Sequence, residues 1–444
     1  MNPRLQLCLA PSFWCFLVDL SYVLQAWCEF QESRRRRISF ISLLQICSSR
    51  SSLPIGTASL TMMRSRSALS WLFVCVLSHA IHVFGFSVNN GSPAADVICV
   101  GEALFDCIAT ERGISIDEMA ERHAFEAFAG GATANVASAC CKLGTSSAWI
   151  GCLGADEDGD QIIEILSSAG VNVDLVQQTT QQPTRRVMVT RNKDTGDREF
   201  GGFWENRAAN EFADCLLDDT ELFPGVETLL HDAQWIVCGT LGLAYPASAA
   251  AMRRLVESTK QTANPPKLLV DVNWRPVFWK DSPYSESEAR QTILDFVQDA
   301  EVLKMTDEEV EWLLGIPADE SIQNPELVHK NFPNAKAVLV TAGENGASYS
   351  MAGCSGFIPA LPIDIVETTG AGDAFTAGFL NQVITQCVDL GNLQDTKPND
   401  IDRGDFCMQI VKFASAVGGL TCTGNGAIPA QPLLKDVETL LATT

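Results

Sequence analysis

Gly370-Ala371-Gly372-Asp373 is the stretch whose residue types and spacing could do chemistry. Small residues at 370 to 372 leave backbone N–H groups open to an anion. The apolar, alternating Ile363 to Val366 predicts a strand end just before them, and Ala374-Phe375-Thr376-Ala377-Gly378-Phe379-Leu380 predicts a buried helix just after. The nest therefore sits at a helix N-terminus, where the dipole adds positive potential. A carboxylate directly after such a nest is repelled by whatever anion the nest holds. As a general base, Asp373 would take a proton from a hydroxyl that attacks that anion, and nest plus base is the minimal kit for phosphoryl transfer. Taken alone, the stretch reads equally well as a Gly-rich turn with Asp373 capping the helix.

Composition narrows the partners. The 444 residues are 46% hydrophobic and 19% charged, which suits an ordinary folded protein with one large or two medium domains. A net charge of -23 argues against nucleic acid, whose phosphates call for a basic face. Residues 1–95 hold eight Lys+Arg and three Asp+Glu, so the remainder carries 23 basic and 51 acidic residues and lies near -28. The 16 cysteines do not form a disulfide framework: Cys99, Cys140, Cys141 and Cys238 sit inside apolar runs, and there is no C-x-x-C pair or zinc spacing. A reducing compartment and no structural metal are expected.

The first 95 residues do not read as part of a domain. Residues 1–61, apolar and aromatic to about residue 30 and then Arg34 to Arg37 with a Ser-rich, poorly periodic stretch, read as a non-native or presequence region. From Met62 or Met63 a basic start, the apolar Leu69 to Phe84 and Gly85-Phe86-Ser87 give the layout of a targeting presequence at 62–95, too short for a membrane span. A phenylalanine after the cleavage region resembles presequences of algal plastids within the secretory system. Plastid delivery is expected, with the secretory pathway or cytoplasm as alternatives and no membrane attachment after removal.

The folded part opens at Asp96 with a continuous apolar run, read as one buried parallel strand carrying Asp106 at its carboxyl end. Phe128-Ala129-Gly130-Gly131 then runs into a small-residue helix with Asn135 one turn in. Strands read at Trp235–Cys238, Lys267–Asn273, Glu301–Met305 and Ala337–Thr341 alternate with helices, the pattern of a parallel sheet covered on both faces. Arg185–Thr190 and Arg198–Phe200 alternate around a hairpin turn at Lys193–Asp197.

The Gly130-Gly131 to Asn135 segment and the Gly370-Ala371-Gly372-Asp373 segment, in that order and far apart, resemble the two signatures of the ribokinase/phosphofructokinase-B (pfkB) sugar kinases, closest to fructokinases. The resemblance spans about Asp96 to Pro432. It implies an α/β ribokinase-like fold: a mostly parallel central sheet with helices on both faces, plus a small β-sheet lid from about 107–128 and 185–206, in a kinase domain at 96–440. Asp106, Gly130, Gly131, Asn135 and Arg275 would hold the substrate. Asn273, Lys304, Thr341, Gly343, Gly346, Ala414, Ser415, Gly424 and Gly426 would border ATP, and Glu309 would meet Mg2+ through water. For Lys304 and Glu309, an exposed helix start is the competing account. Family members often dimerise through the lid, which implies a possible homodimer.

The activity so implied is transfer of the γ-phosphate of ATP to a primary hydroxyl of a small-molecule sugar, fructose favoured, with Asp373 as base and Gly370 to Gly372 as anion hole. Three departures bear on it. Glu367 stands where the family usually has Asp, at a monovalent-cation site, so the extra methylene leaves potassium dependence open. Fructokinases tend to have Arg at the position of Glu205 and Asp at that of Asn210. Arg207 with Arg275 would suit a sugar acid such as 2-keto-3-deoxygluconate, and ribose or a nucleoside are further candidates. A catalytically weak, fructokinase-like binding protein of a plastid complex is the alternative of a different class.

Overall fold

The computed structural model describes residues 95–194, 198–391 and 402–443. The leader readings at 1–61 and 62–95 lie outside these residues, Ala95 apart, as does the centre of the hairpin turn at 195–197. In chain order the strands are β1 (Val97–Val100), β2 (Leu104–Ala109), β3 (Phe125–Gly130), β4 (Ser147–Ile150), β5 (Cys152–Gly154), β6 (Gln177–Thr179) and β7 (Arg186–Arg191). There follow β8 (Arg198–Phe203), β9 (Trp235–Cys238), β10 (Lys267–Asp271), β11 (Val302–Thr306), β12 (Ala337–Thr341), β13 (Ala347–Met351) and β14 (Cys354–Ile358).

Eight strands form the main sheet in the order β14-β13-β12-β11-β10-β9-β1-β4, parallel from β12 to β4 and antiparallel at β13 and β14. The continuous apolar runs are the reason. Successive side chains point to opposite faces, so Ile98, Val100, Ile236 and Val270 enter one core while Val97, Cys99, Val237 and Leu269 enter the other. Four helices bear on the site: α1 (Ala132–Lys142), α2 (Asp307–Leu314), α3 (Ala371–Thr385) and α4 (Arg403–Thr421). Val310 and Leu313 of α2 join the first core, and α1, α3 and α4 close the second. A separate sheet, β3-β2-β7-β8, takes its strands from the two stretches on either side of α1.

Two local expectations need correction. The apolar run from Asp96 is not one strand: β1 ends at Val100, and Asp106 lies inside β2 of the second sheet, opposite Phe128. Hydrophobicity continues while the chain changes sheets, so only Gly101 and Glu102 mark the break. Nor is Ile363 to Val366 a strand end. Ile365 and Val366 are each 59% exposed, and the N–H groups of Val366 and Glu367 both donate to the Cys422 carbonyl at 2.8 and 3.1 Å. This alternating segment joins neither sheet, its last amides being taken by the carbonyl just after α4.

Candidate active site

The start of α3 is open. Its N-cap, Gly370, takes φ +77° and contributes no side-chain cap, whereas α2 begins with a full capping box between Thr306 and Glu309. Close packing fixes its position: a Cβ on Gly378 would lie 3.0 Å from the Ala414 Cα, and one on Gly418 would lie 2.8 Å from the Ala371 carbonyl oxygen. One turn in, Asp373 Oδ2 accepts a 2.8 Å hydrogen bond from Asn135 Nδ2 of α1. The other amide atom, Asn135 Oδ1, is buried with no hydrogen-bond partner among the described residues. Protein surrounds Asp373 without sealing it. Burial raises its pKa, outweighing the Asn135 hydrogen bond and the charges of Lys304 and Arg275.

Beside this pair lies a buried ionic cluster. Asp271 and Lys304 are register partners on the parallel strands β10 and β11. Lys304 Nζ donates to both Asp271 oxygens, at 3.0 and 3.2 Å. The same ammonium lies 2.8 Å from where a Cβ on Gly372 would be, so glycine is what lets the charge reach the start of α3. Burial pulls the Lys304 pKa down, but the carboxylates of Asp271, Glu309 and Asp373 hold it above its ordinary value. Burial pushes Asp271 up, against the pull of Lys304. Glu309 is equally constrained: Oε1 accepts the Trp274 N–H and Oε2 the Thr306 N–H, each at 2.8 Å. Arg275 Nη1 lies 3.6 Å from Glu309 Oε1, and Asn273 between these elements takes φ +42°. Lys304 and Glu309 are 5% and 4% exposed, which rules out an exposed helix start. A base-like carboxylate, a buried ammonium and an uncapped helix start thus meet at the carboxyl edge of the sheet, an arrangement able to bind an anion and accept a proton beside it.

Comparison with known proteins decides the family. The profile of the pfkB family carbohydrate kinases matches residues 94–433. Fructokinase-1 of Oryza sativa subsp. japonica is 34% identical over 345 residues, 78% of this chain and 97% of the relative. The probable fructokinase-6, chloroplastic, of Arabidopsis thaliana is 34% identical over 346 residues, 78% of this chain and 82% of the relative. The structure of fructokinase with bound ATP from Xylella fastidiosa has a TM-score of 0.63 at 26% identity, covering 78% of this chain and 98% of that one. The chain belongs to the pfkB family of carbohydrate kinases. It is a fructokinase-like phosphotransferase that acts on a sugar hydroxyl, and its sheet of eight strands with a small extra sheet is the ribokinase-like fold.

The remaining residues singled out in this pfkB kinase fall into place unevenly. Gly130 lies against Asp106, where a Cβ would meet Oδ2 at 2.9 Å. Gly131 takes φ +105°, and its Cβ would lie 2.5 Å from the Glu102 carbonyl oxygen. Gly131→Ala is therefore expected to lose at least about 1–3 kcal/mol from backbone strain alone, read as a lower urea midpoint. Thr341 ends β12, and Gly343 and Gly346 flank a single 3-10 turn with positive φ. Ala414 is wholly buried in the α3–α4 packing, while Ser415 is partly exposed. A Cβ on Gly424 would meet that of Ala430 at 2.9 Å, and one on Gly426 would strike the Phe128 ring at 2.4 Å, so this loop touches the second sheet. Glu367 Oε2 accepts the Gly426 N–H at 2.8 Å, joining the segments before α3 and after α4.

The arginines behave differently from their sequence reading. Arg207 is paired with Glu205 at 3.0 Å, and Glu205 and Asn210 are exposed. The buried guanidinium is Arg185, which donates to both oxygens of Asp214 at 2.8 and 2.9 Å and lies within 5.0 Å of the Phe203, Phe212 and Phe278 ring centroids. Residues not singled out in advance include Asp271, Glu102, Arg185 with Asp214, and Gln431, whose Nε2 donates to the Asn135 carbonyl at 2.8 Å. Asp271 at a strand end beside a polar Asn273 was the one readable signal among them.

Proposed function

We propose that this pfkB kinase transfers the γ-phosphate of ATP to a primary hydroxyl of a neutral sugar, with fructose the first candidate. The observation that carries it is the Asn135–Asp373 pair. Asn135 offers a buried, unpartnered acceptor to a sugar hydroxyl while its Nδ2 holds the carboxylate that would remove a hydroxyl proton. A pKa raised by burial makes Asp373 a better base than an ordinary aspartate. The uncapped start of α3 and the Lys304 ammonium beside Gly372 would meet the charge that builds on the transferred group, although the Ala371 N–H already bonds the Thr368 carbonyl at 3.2 Å. Fructose is favoured by the rice and Arabidopsis relatives, and ATP by the nucleotide held in the Xylella enzyme.

Arg207 and Arg275 each lie against a carboxylate, Glu205 and Glu309, which speaks for a neutral substrate over a sugar acid. The donor set suits a Mg2+ that arrives on the nucleotide: both Glu309 oxygens already accept backbone N–H groups, so Glu309 would orient its waters, and the ion would neutralise phosphate charge. The chloroplastic relative and the presequence pattern support plastid delivery. Among the described residues no helix is long and apolar enough to cross a membrane. The test is ADP release in a coupled assay with fructose, ribose, glucose, adenosine and 2-keto-3-deoxygluconate. Fructose is expected to give the highest kcat/KM; folded protein that binds ATP but turns over no sugar would favour a binding role instead.

A further inference from the structure

Phosphoryl transfer as set out above gives no role to the buried carboxyl of Glu102. Glu102 lies between β1 and β2 and is 4% exposed. Its Oε1 accepts the N–H of Ala132, the first residue of α1, at 2.9 Å. That helix has no cap of its own, since Gly131 at the N-cap position has no side chain to offer. Glu102 therefore does a cap's work from 30 residues away. Its carbonyl also accepts the Thr133 hydroxyl at 3.3 Å, and Thr133 Oγ1 accepts Trp149 Nε1 at 3.2 Å. Two residues further along α1 is Asn135, whose amide holds Asp373.

The rest of the carboxyl is costly to keep where it is. Oε2 has no hydrogen-bond partner among the described residues. Glu102 borders a cavity of about 10 Å³, shared with Asp214, Tyr245 and Ser248 and large enough for one water. Burial raises the pKa of Glu102 to about 7, against the hydrogen bonds from its own and Ala132's amides, with Asp214 and Asp373 adding to the rise. An alanine here would remove that cost and also the side chain that caps α1.

We propose that Glu102 is a positioning residue for the sugar half of the site: its carboxyl pins the first turn of α1 and so sets the Asn135 amide against Asp373. This rests on Asn135 and Asp373 forming the sugar-and-base half proposed above. Reach and charge are separable. Glu102→Asp keeps the charge but falls short of the Ala132 N–H, whereas Glu102→Gln keeps the acceptor at full length and gives up the charge. A misplacement of about 1 Å can cost on the order of a hundredfold.

The experiment is steady-state kinetics with fructose and ATP on the full protein, with melting temperature alongside. Glu102→Asp is expected to lower kcat/KM for fructose by about 10- to 100-fold with the KM for ATP within about twofold of wild type. Glu102→Gln is expected to recover most of that loss. Folded Glu102→Asp with wild-type kcat/KM for fructose, or Glu102→Gln as impaired as Glu102→Asp, would overturn the inference. So would lower melting temperatures with unchanged kinetics, the mark of a merely structural role. A wild-type protein inactive on every sugar would instead bring down the reading of the site on which the inference rests.

Discussion

Asp373→Asn is expected to lower kcat with fructose by roughly a hundred- to ten-thousandfold, the range for removing a positioned general base. The KM for ATP should hardly move. The same change should raise the melting temperature. The folded-state pKa of Asp373 lies above its unfolded value because burial disfavours the charge. The folded protein then holds the proton more tightly, so the penalty is absent below the unfolded pKa, grows as pH rises towards the folded pKa and is complete above it. Asn removes that penalty and retains an acceptor for Asn135 Nδ2. The gain in melting temperature should accordingly be larger at pH 8 than at pH 4. An inactive but stabilised variant is what a strained, functional carboxylate leaves behind. An equally active one would remove Asp373 from the chemistry.

Lys304→Met should have the largest effect on stability. It deletes the ammonium hydrogen-bonded to Asp271 and leaves that carboxylate buried beside Glu309 and Asp373. Removing one partner of a buried pair costs about 3–5 kcal/mol, whereas replacing both with apolar groups is often close to neutral. Urea unfolding should thus show a large loss for Lys304→Met and recovery of most of it in Lys304→Met/Asp271→Leu. Turnover should not recover in the double variant, because the charge beside Gly372 is gone in both. Recovery of both would make the pair purely structural.

Much of the main sheet was legible because its strands are buried on both faces and are written as continuous apolar runs, as in Val97–Val100 and Ala337–Thr341. The start of α3 was legible because glycines, a carboxylate and a small-residue helix are contiguous. What failed depended on tertiary context. The Ile363–Val366 alternation has the period of a strand, but its last amide bonds the Cys422 carbonyl and not a sheet edge. Asp106 sits in a different sheet from Val100 although only Gly101 and Glu102 interrupt the apolar run between them. Asp271 matters through its register with Lys304, and Glu102 through a contact with Ala132, separations that no local pattern records. Arg185 and Arg186 look like a matched pair at a strand start. Only Arg185 is enclosed, because Asp214 and three phenylalanine rings converge on it, whereas Arg186, paired with Asp158, is partly exposed. Glu205, where fructokinases tend to have Arg, is exposed and paired with Arg207.

The most direct test of transfer to a sugar hydroxyl is 31P NMR of the protein with ATP, Mg2+ and fructose. The expected result is a new phosphomonoester signal coupled to the protons of a primary carbon, growing as the γ-phosphate signal falls and absent with Asp373→Asn. Growth of inorganic phosphate alone, or a phosphomonoester that still forms at the wild-type rate with Asp373→Asn, would contradict the account.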